Sequence, residues 1–219
     1  MEKDGKTIEM KRFFPFVLFP LFLFGASFST HINFSGEPAV ALKTAQSAFN
    51  TFGYRLEVSD FDTQNQTGEF EATAIGNKVL NPEMVKESFK EQGIEIEAMN
   101  TQQQTLSMTI DAQKALWNLP LLVSDEGIEL KRVHSPQWYR VEEAQSIRIE
   151  PPYSTEWYPD IAVFDRSLNL LYSYRSDSVK EGFELELPSG SVYLKVSNVQ
   201  GMKVLREGMW IESKSLGRP

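Results

Sequence analysis

The sequence predicts an α+β region followed by an all-β region. The first is a duplicated αββ motif forming a four-stranded antiparallel sheet with two helices; the second is a β-sandwich or jelly-roll-like domain. Three observations predict this. A helix–glycine–strand–turn–strand pattern occurs twice between residues 38 and 112. From Ile128 onward, short runs alternate apolar and polar residues at period two, with turn residues between them. The 219-residue chain contains no cysteine, so the folded body must hold together by burial alone.

In chain order, Lys11 and Arg12 precede an apolar run, Phe13–Phe24, and the small residues Gly25, Ala26, Ser27 and Ser29 follow. A basic start, a short apolar centre and a small-residue exit resemble a secretory signal peptide over residues 1–29, with Ser27 or Ser29 before the cut. The run is shorter than the roughly 20 residues a spanning helix needs, so no stable membrane span is expected after cleavage. Residues 30–37 read as a flexible segment. The expected location is periplasmic or secreted.

Pro38–Phe52 reads as a helix, because Leu42, Ala45, Phe49 and Phe52 recur at helical spacing and Pro38 suits a first turn. Gly53 ends it. Tyr54, Leu56 and Val58 alternate with Arg55 and Glu57 as a strand, residues 60–68 read as a polar turn, and Phe70, Ala72 and Ala74 mark a second strand. The pattern then restarts. Asn81 is an N-cap and Pro82 a first helical residue. Val85 and Phe89 form an apolar stripe, Gly93 closes the helix, and Ile94/Ile96 and Leu106/Met108/Ile110 supply two strands. At an offset of 40, Phe49, Gly53 and Glu57 meet Phe89, Gly93 and Glu97. At an offset of 38, Thr63, Gln64, Gln66 and Thr67 meet Thr101, Gln102, Gln104 and Thr105. The two-residue change is placed between the strands, where a gap costs little. One unit alone buries too little, so both are expected to share one sheet over residues 38–112, with the helices on one face. The arrangement is similar to a circularly permuted ferredoxin-like fold, as in αββ repeats of periplasmic secretion and pilus assembly platforms. Its open face would carry Arg55, Glu57, Glu69, Glu71, Glu95, Glu97, Ser107 and Thr109, either simply solvated or docking a cationic partner.

Residues 113–126 form a connector around the apolar stretch Ala115–Val123, and residues 127–215 the sandwich. Its strands are Trp138–Val141, Ser146–Glu150, Ile161–Phe164, Leu168–Tyr174, Phe183–Leu187 and Val192–Val196, with Met202–Leu205 and Met209–Glu212 last. Three stretches carry a resemblance here. They are Trp138-Tyr139-Arg140-Val141 with Ser146-Ile147-Arg148-Ile149, then Pro159–Asp165 continuing into Leu168–Leu171, then Phe183–Val196. Together they resemble the opening strand pair, the central strand and the closing strand–turn–strand of the bacterial pre-peptidase C-terminal domain family. That resemblance implies a non-catalytic β-sandwich appendage on an exported protein, which binds or stabilises.

Chemistry is sparse. His31 and His134 are the two histidines, and without cysteine they make a zinc site unfavoured. Asp60, Asp62, Asn65 and Glu69 lack the spacing of a calcium loop. Asp160 and Asp165 bracket a strand and read as turn acceptors. No cofactor, metal or catalytic residue is expected. The net charge of -8, which becomes -9 once four basic and three acidic residues leave with residues 1–29, opposes nucleic-acid binding. The candidate contact residues are Trp138, Tyr153, Trp157, Tyr158 and Asp160, an aromatic set that either grips a ligand or plugs the sandwich. The expected function is a non-enzymatic binding protein of a bacterial cell envelope, with an envelope protein as partner. The alternatives are a carbohydrate-binding or wall-associated module using Trp157 and Tyr158, and a small hydrolase.

Overall fold

The computed structural model describes residues 27–77, 80–123, 125–130, 135–141, 144–152, 155–202 and 208–215. Two hydrophobic cores lie along the chain, one built from residues 28–115 and one from residues 122–211.

The first core fills the space between two helices and a five-stranded sheet. The strands are β1 (Ser27–Ser35), β2 (Arg55–Gln64), β3 (Thr67–Ile75), β4 (Glu95–Gln102) and β5 (Thr105–Asp111), and the helices are α1 (Pro38–Thr51) and α2 (Pro82–Glu91). The sheet order is β2-β3-β1-β5-β4. The two αββ units are present as expected, but the sheet has five strands and is mixed. β1 lies at its centre, antiparallel to β3 and parallel to β5. Residues 27–29, assigned above to the leader, and residues 30–35 of the supposed flexible segment are this strand. The physical reason is visible in the burial. Phe28, Thr30, Ile32 and Phe34 are buried, while Ser27, Ser29, His31, Asn33 and Ser35 point the other way. Neither αββ hairpin can cover both helices alone, and β1 supplies the missing middle of the apolar floor.

The duplication extends to backbone detail. Gly53 and Gly93 both have positive φ, 78° and 73°, where glycine carries no Cβ penalty. Behind them, the N–H groups of Tyr54 and Ile94 donate to the carbonyls of Phe49 and Phe89 at 3.0 Å each. The rings of Phe49 and Phe89 meet edge to face at 5.9 Å, both 0% exposed. Each unit has a bulge in its first strand, Ser59 in β2 and Glu97 in β4. Each hairpin closes through a two-residue loop whose first residue, Asn65 or Gln103, has positive φ. The two-residue offset therefore falls inside the first strand, ahead of the bulge. The predicted polar turn at 60–68 shrinks to Asn65 and Gln66, because Asp60–Gln64 pair with Thr67–Glu71. The helices start differently. Asn81 caps α2 by accepting from the Glu83 N–H at 2.9 Å, whereas α1 has no side-chain cap at Glu37.

The second core lies between two antiparallel four-stranded sheets packed as a β-sandwich-like domain. Its strands are β6 (Gly127–Leu130), β7 (Gln137–Arg140), β8 (Ser146–Glu150), β9 (Pro159–Phe164), β10 (Leu170–Arg175), β11 (Phe183–Glu186), β12 (Tyr193–Asn198) and β13 (Met209–Lys214). The orders are β10-β9-β12-β7 and β11-β8-β13-β6. The expected opening strand pair does not pair. β7 bonds β12 and β8 bonds β11 and β13, so the chain crosses between sheets after Val141. The crossing lets Tyr139 and Val141 of one sheet meet Ile147 and Ile149 of the other. β11 and β12 also lie in different sheets, while β9 and β10 form a local hairpin. Of the expected strand Met202–Leu205, residues 203–205 lie outside the described residues.

The connector ties the cores together. Ala115 belongs to the first and Leu122 to the second. The Leu122 N–H donates to the Arg140 carbonyl and the Arg140 N–H to the Pro120 carbonyl, 2.9 Å each, beside β7, which extends that sheet edge without forming a full strand. Among the described residues no helix is long and apolar enough to cross a membrane.

Candidate functional site: the open sheet face and the aromatic set

On the five-stranded sheet, residues that do not face the helices form an open face. The register places them in rows. Asp60 lies opposite Glu71, and Asp62 opposite Glu69. His31 on β1 lies beside Glu71 on one side and Ser107 on the other. Its Nε2 lies 3.5 Å from Glu69 Oε2 and its Nδ1 3.7 Å from Glu71 Oε1. Arg55 and Glu57 pair at the end of β2. The expected face residues Glu69, Glu71, Ser107 and Thr109 are here as predicted, and the bulges bring Asp60 and Asp62 to join them. Sequence reading placed those two in a turn and His31 in a flexible segment. The signal for His31 was the alternation of Phe28, Ile32 and Phe34 with polar residues, whereas Asp60 and Asp62 were marked only by Phe61 between them, because residues 60–64 are all exposed.

Acids held opposite acids in an antiparallel pair repel, and such pairs destabilise a sheet. The second copy avoids this on the hairpin side of its bulge. At the same register after the bulge it carries Ala98, Asn100, Ser107 and Thr109. Before its bulge the second copy has an opposed acid pair of its own, Glu95 and Asp111. The carboxylate field with an imidazole at its inner edge thus lies at the hairpin end of the first copy, and the matching end of the second carries alanine, amide and hydroxyl.

The aromatic set is divided by the structure. Trp157 is 0% exposed, and its indole N–H donates to the Ser197 carbonyl at 3.3 Å, so it fills the sandwich interior. Tyr158 is held by its backbone N–H, which donates to Asn198 Oδ1 at 2.9 Å. Asp160 pairs with Lys195 at 3.4 Å. Asp165 accepts from the Asn169 N–H at 2.8 Å, the turn role expected of it. Tyr153 and His134 lie outside the described residues. Trp138 sits on the outer face of its sheet, with Trp117 at 5.0 Å and Phe164 at 5.2 Å. Trp117 in turn meets Tyr193 at 6.1 Å, donates its backbone N–H to the Tyr193 hydroxyl at 3.1 Å, and lies under Lys43 of α1 at 5.7 Å. This ladder, together with Leu168 packed against the first core, ties the sandwich to the αββ unit.

Among the described residues no group of three or more histidine, cysteine or acidic side chains could hold a metal ion. Two phenols have shifted pKa values. Burial raises Tyr54, and burial pushes Tyr139 up to about 12. Both belong to the cores, where a neutral phenol is the favoured form. No family model matches the chain, and no curated protein matches it.

Proposed function

We propose that this is an exported, non-catalytic binding protein of a bacterial cell envelope. In this reading the αββ unit docks a cationic protein surface on its open sheet face, and the sandwich braces it. One observation carries the docking reading: the first copy keeps the opposed acid pairs Asp60/Glu71 and Asp62/Glu69, while the second copy shows that the same register works without them. A partner bearing lysine or arginine would relieve that repulsion on binding, and steering by the field would speed the encounter. The basic–apolar–small segment at residues 11–29 supports export. Phe28 is 2% exposed and meets Tyr54 at 5.2 Å, so a cut before Ser27 keeps β1 whole and one after Ser27 still keeps this ring, whereas a cut after Ser29 removes it. The resemblance of residues 138–196 to the pre-peptidase C-terminal family agrees with a bracing or binding sandwich. The carbohydrate alternative loses Trp157, which is interior, and is left with Tyr158.

The test converts the first copy to the second with Asp60→Ala, Asp62→Asn, Glu69→Ser and Glu71→Thr together. Cross-linking in intact envelopes should capture a partner with the natural protein, and the four-fold variant should lose it while keeping its circular dichroism. Capture that persists in the variant, or that is insensitive to salt, sinks the docking reading.

A further inference from the structure

The outer face of the β11-β8-β13-β6 sheet carries a tryptophan that the interior does not use. Period two on β13 sends Met209, Ile211 and Ser213 inward and Trp210 outward, where it is 41% exposed. Its ring lies over Gly127 of β6. A Cβ built on Gly127 would fall 1.8 Å from Trp210 Cζ2, so the ring occupies the space a side chain would take. One face of the indole is therefore set against backbone, and the other is turned to solvent. In the register, Glu150 lies directly beside Trp210, and Glu212 sits two residues along β13 between Gly127 and Arg148. Arg148 is engaged with Glu150 and with Glu184. Glu212 has no ion-pair or hydrogen-bond partner among the described residues.

We infer that Trp210 is a cation platform: it takes a guanidinium side chain of a protein partner, stacked on the free indole face, with Glu212 accepting its N–H groups. The chemistry selects this ligand. An indole face is electronegative, a guanidinium is planar and stacks on it, and a neighbouring carboxylate offers the fork acceptor. A neutral pyranose would use the same ring but has no need of the carboxylate. The site is separate from the open sheet face, so it stands or falls on its own measurement.

The experiment labels the indole N–H groups with nitrogen-15 and assigns the Trp210 resonance as the one missing from Trp210→Ala. Hexa-arginine is the cationic probe and a neutral N-acetylglucosamine oligomer is the control. The Trp210 resonance should move saturably with hexa-arginine and stay still with the oligosaccharide. Glu212→Gln should weaken the peptide response by about three- to fivefold, the scale of one exposed cation contact. Gly127→Ala, which displaces the ring, should abolish it; if that variant does not fold, Glu212→Gln alone decides. A Trp210 resonance that ignores hexa-arginine while others shift overturns the inference. A response to the oligosaccharide instead overturns the ligand class, and makes the ring a sugar platform.

Discussion

On the open face of the sheet, β2 and β3 present Asp60, Asp62, Glu69 and Glu71, and at the matching register β4 and β5 present Ala98, Asn100, Ser107 and Thr109. Beneath that face the two copies agree closely. They share the glycine-ended helix, the bulge, the two-residue loop with a left-handed first residue and the central phenylalanine. Buried and backbone-constrained positions kept their character while the solvent-facing positions drifted apart. The difference separates two kinds of requirement. The interior positions are what the fold needs, because either copy would lose its packing without them. The acids after the bulge are not needed by that stretch of the fold, because the second copy has Ala98, Asn100, Ser107 and Thr109 there, its own acid pair Glu95 and Asp111 lying before the bulge.

The strongest way to break this comparison is at the shared interior. Phe49→Ala and Phe89→Ala should each cost about 3–5 kcal/mol, since each removes a fully buried ring. Because the rings touch, the double variant should deviate from additivity by about 0.5–1.5 kcal/mol. Urea unfolding of the four proteins checks both numbers. Strict additivity would mean the two copies do not share a core.

A second, smaller effect concerns the strand that belongs to neither copy. Phe28→Ala should cost about 3 kcal/mol, because the ring packs between Phe49 and Tyr54. Protein beginning at Thr30 should be less stable still than Phe28→Ala protein beginning at Ser27, since it also loses the Ser29 N–H bond to Gln104. Equal melting temperatures of these two proteins would show that, before Thr30, β1 contributes only the Phe28 ring.

These experiments bear on what could be read in advance. The helices, the Asn81 cap of α2 and the glycine ends were legible, because local chemistry sets them. So were most sandwich strands, because inward and outward residues alternate plainly. β1 was not, since its first apolar residue, Phe28, adjoins the apolar run that looks like an export signal. Strand partners in the sandwich were not legible either: alternation says which face a residue takes and nothing about which sheet. Which of the two roles each aromatic takes was not legible for a related reason. Trp157 and Trp210 are the same residue type on opposite sides of a layer, and only the fold decides that one is interior and the other exposed.

The third effect sharpens the charge contrast directly. The four-fold variant that gives the first copy the second copy's residues should gain about 0.5–1 kcal/mol at low salt, because two opposed acid pairs vanish. The gain should shrink as salt rises, since these side chains are exposed and salt screens them within about 10 Å at 0.1 M. His31 works against the gain, because its contacts with Glu69 and Glu71 are lost as well. Loss of stability at low salt would show that the acids are structural, and would remove the reason for assigning them to a partner.

The smallest effect lies in the loops. Asn65 and Gln103 occupy the same position with φ of 58° and 52°. Asparagine tolerates that region through its short polar side chain, whereas glutamine bears a Cβ penalty of about 1–2 kcal/mol. Substituting glycine removes the penalty but adds freedom to the unfolded chain, worth about 0.4–1 kcal/mol against folding. Gln103→Gly should therefore gain up to about 1 kcal/mol, and Asn65→Gly should change stability by only a few tenths. Thermal melts of the two variants, compared at the same pH and salt, measure the difference. If Asn65→Gly gains as much as Gln103→Gly, residue type does not matter at this position. The two hairpins would then be alike in energy as well as in shape, and the divergence of the copies would be confined to the charged face.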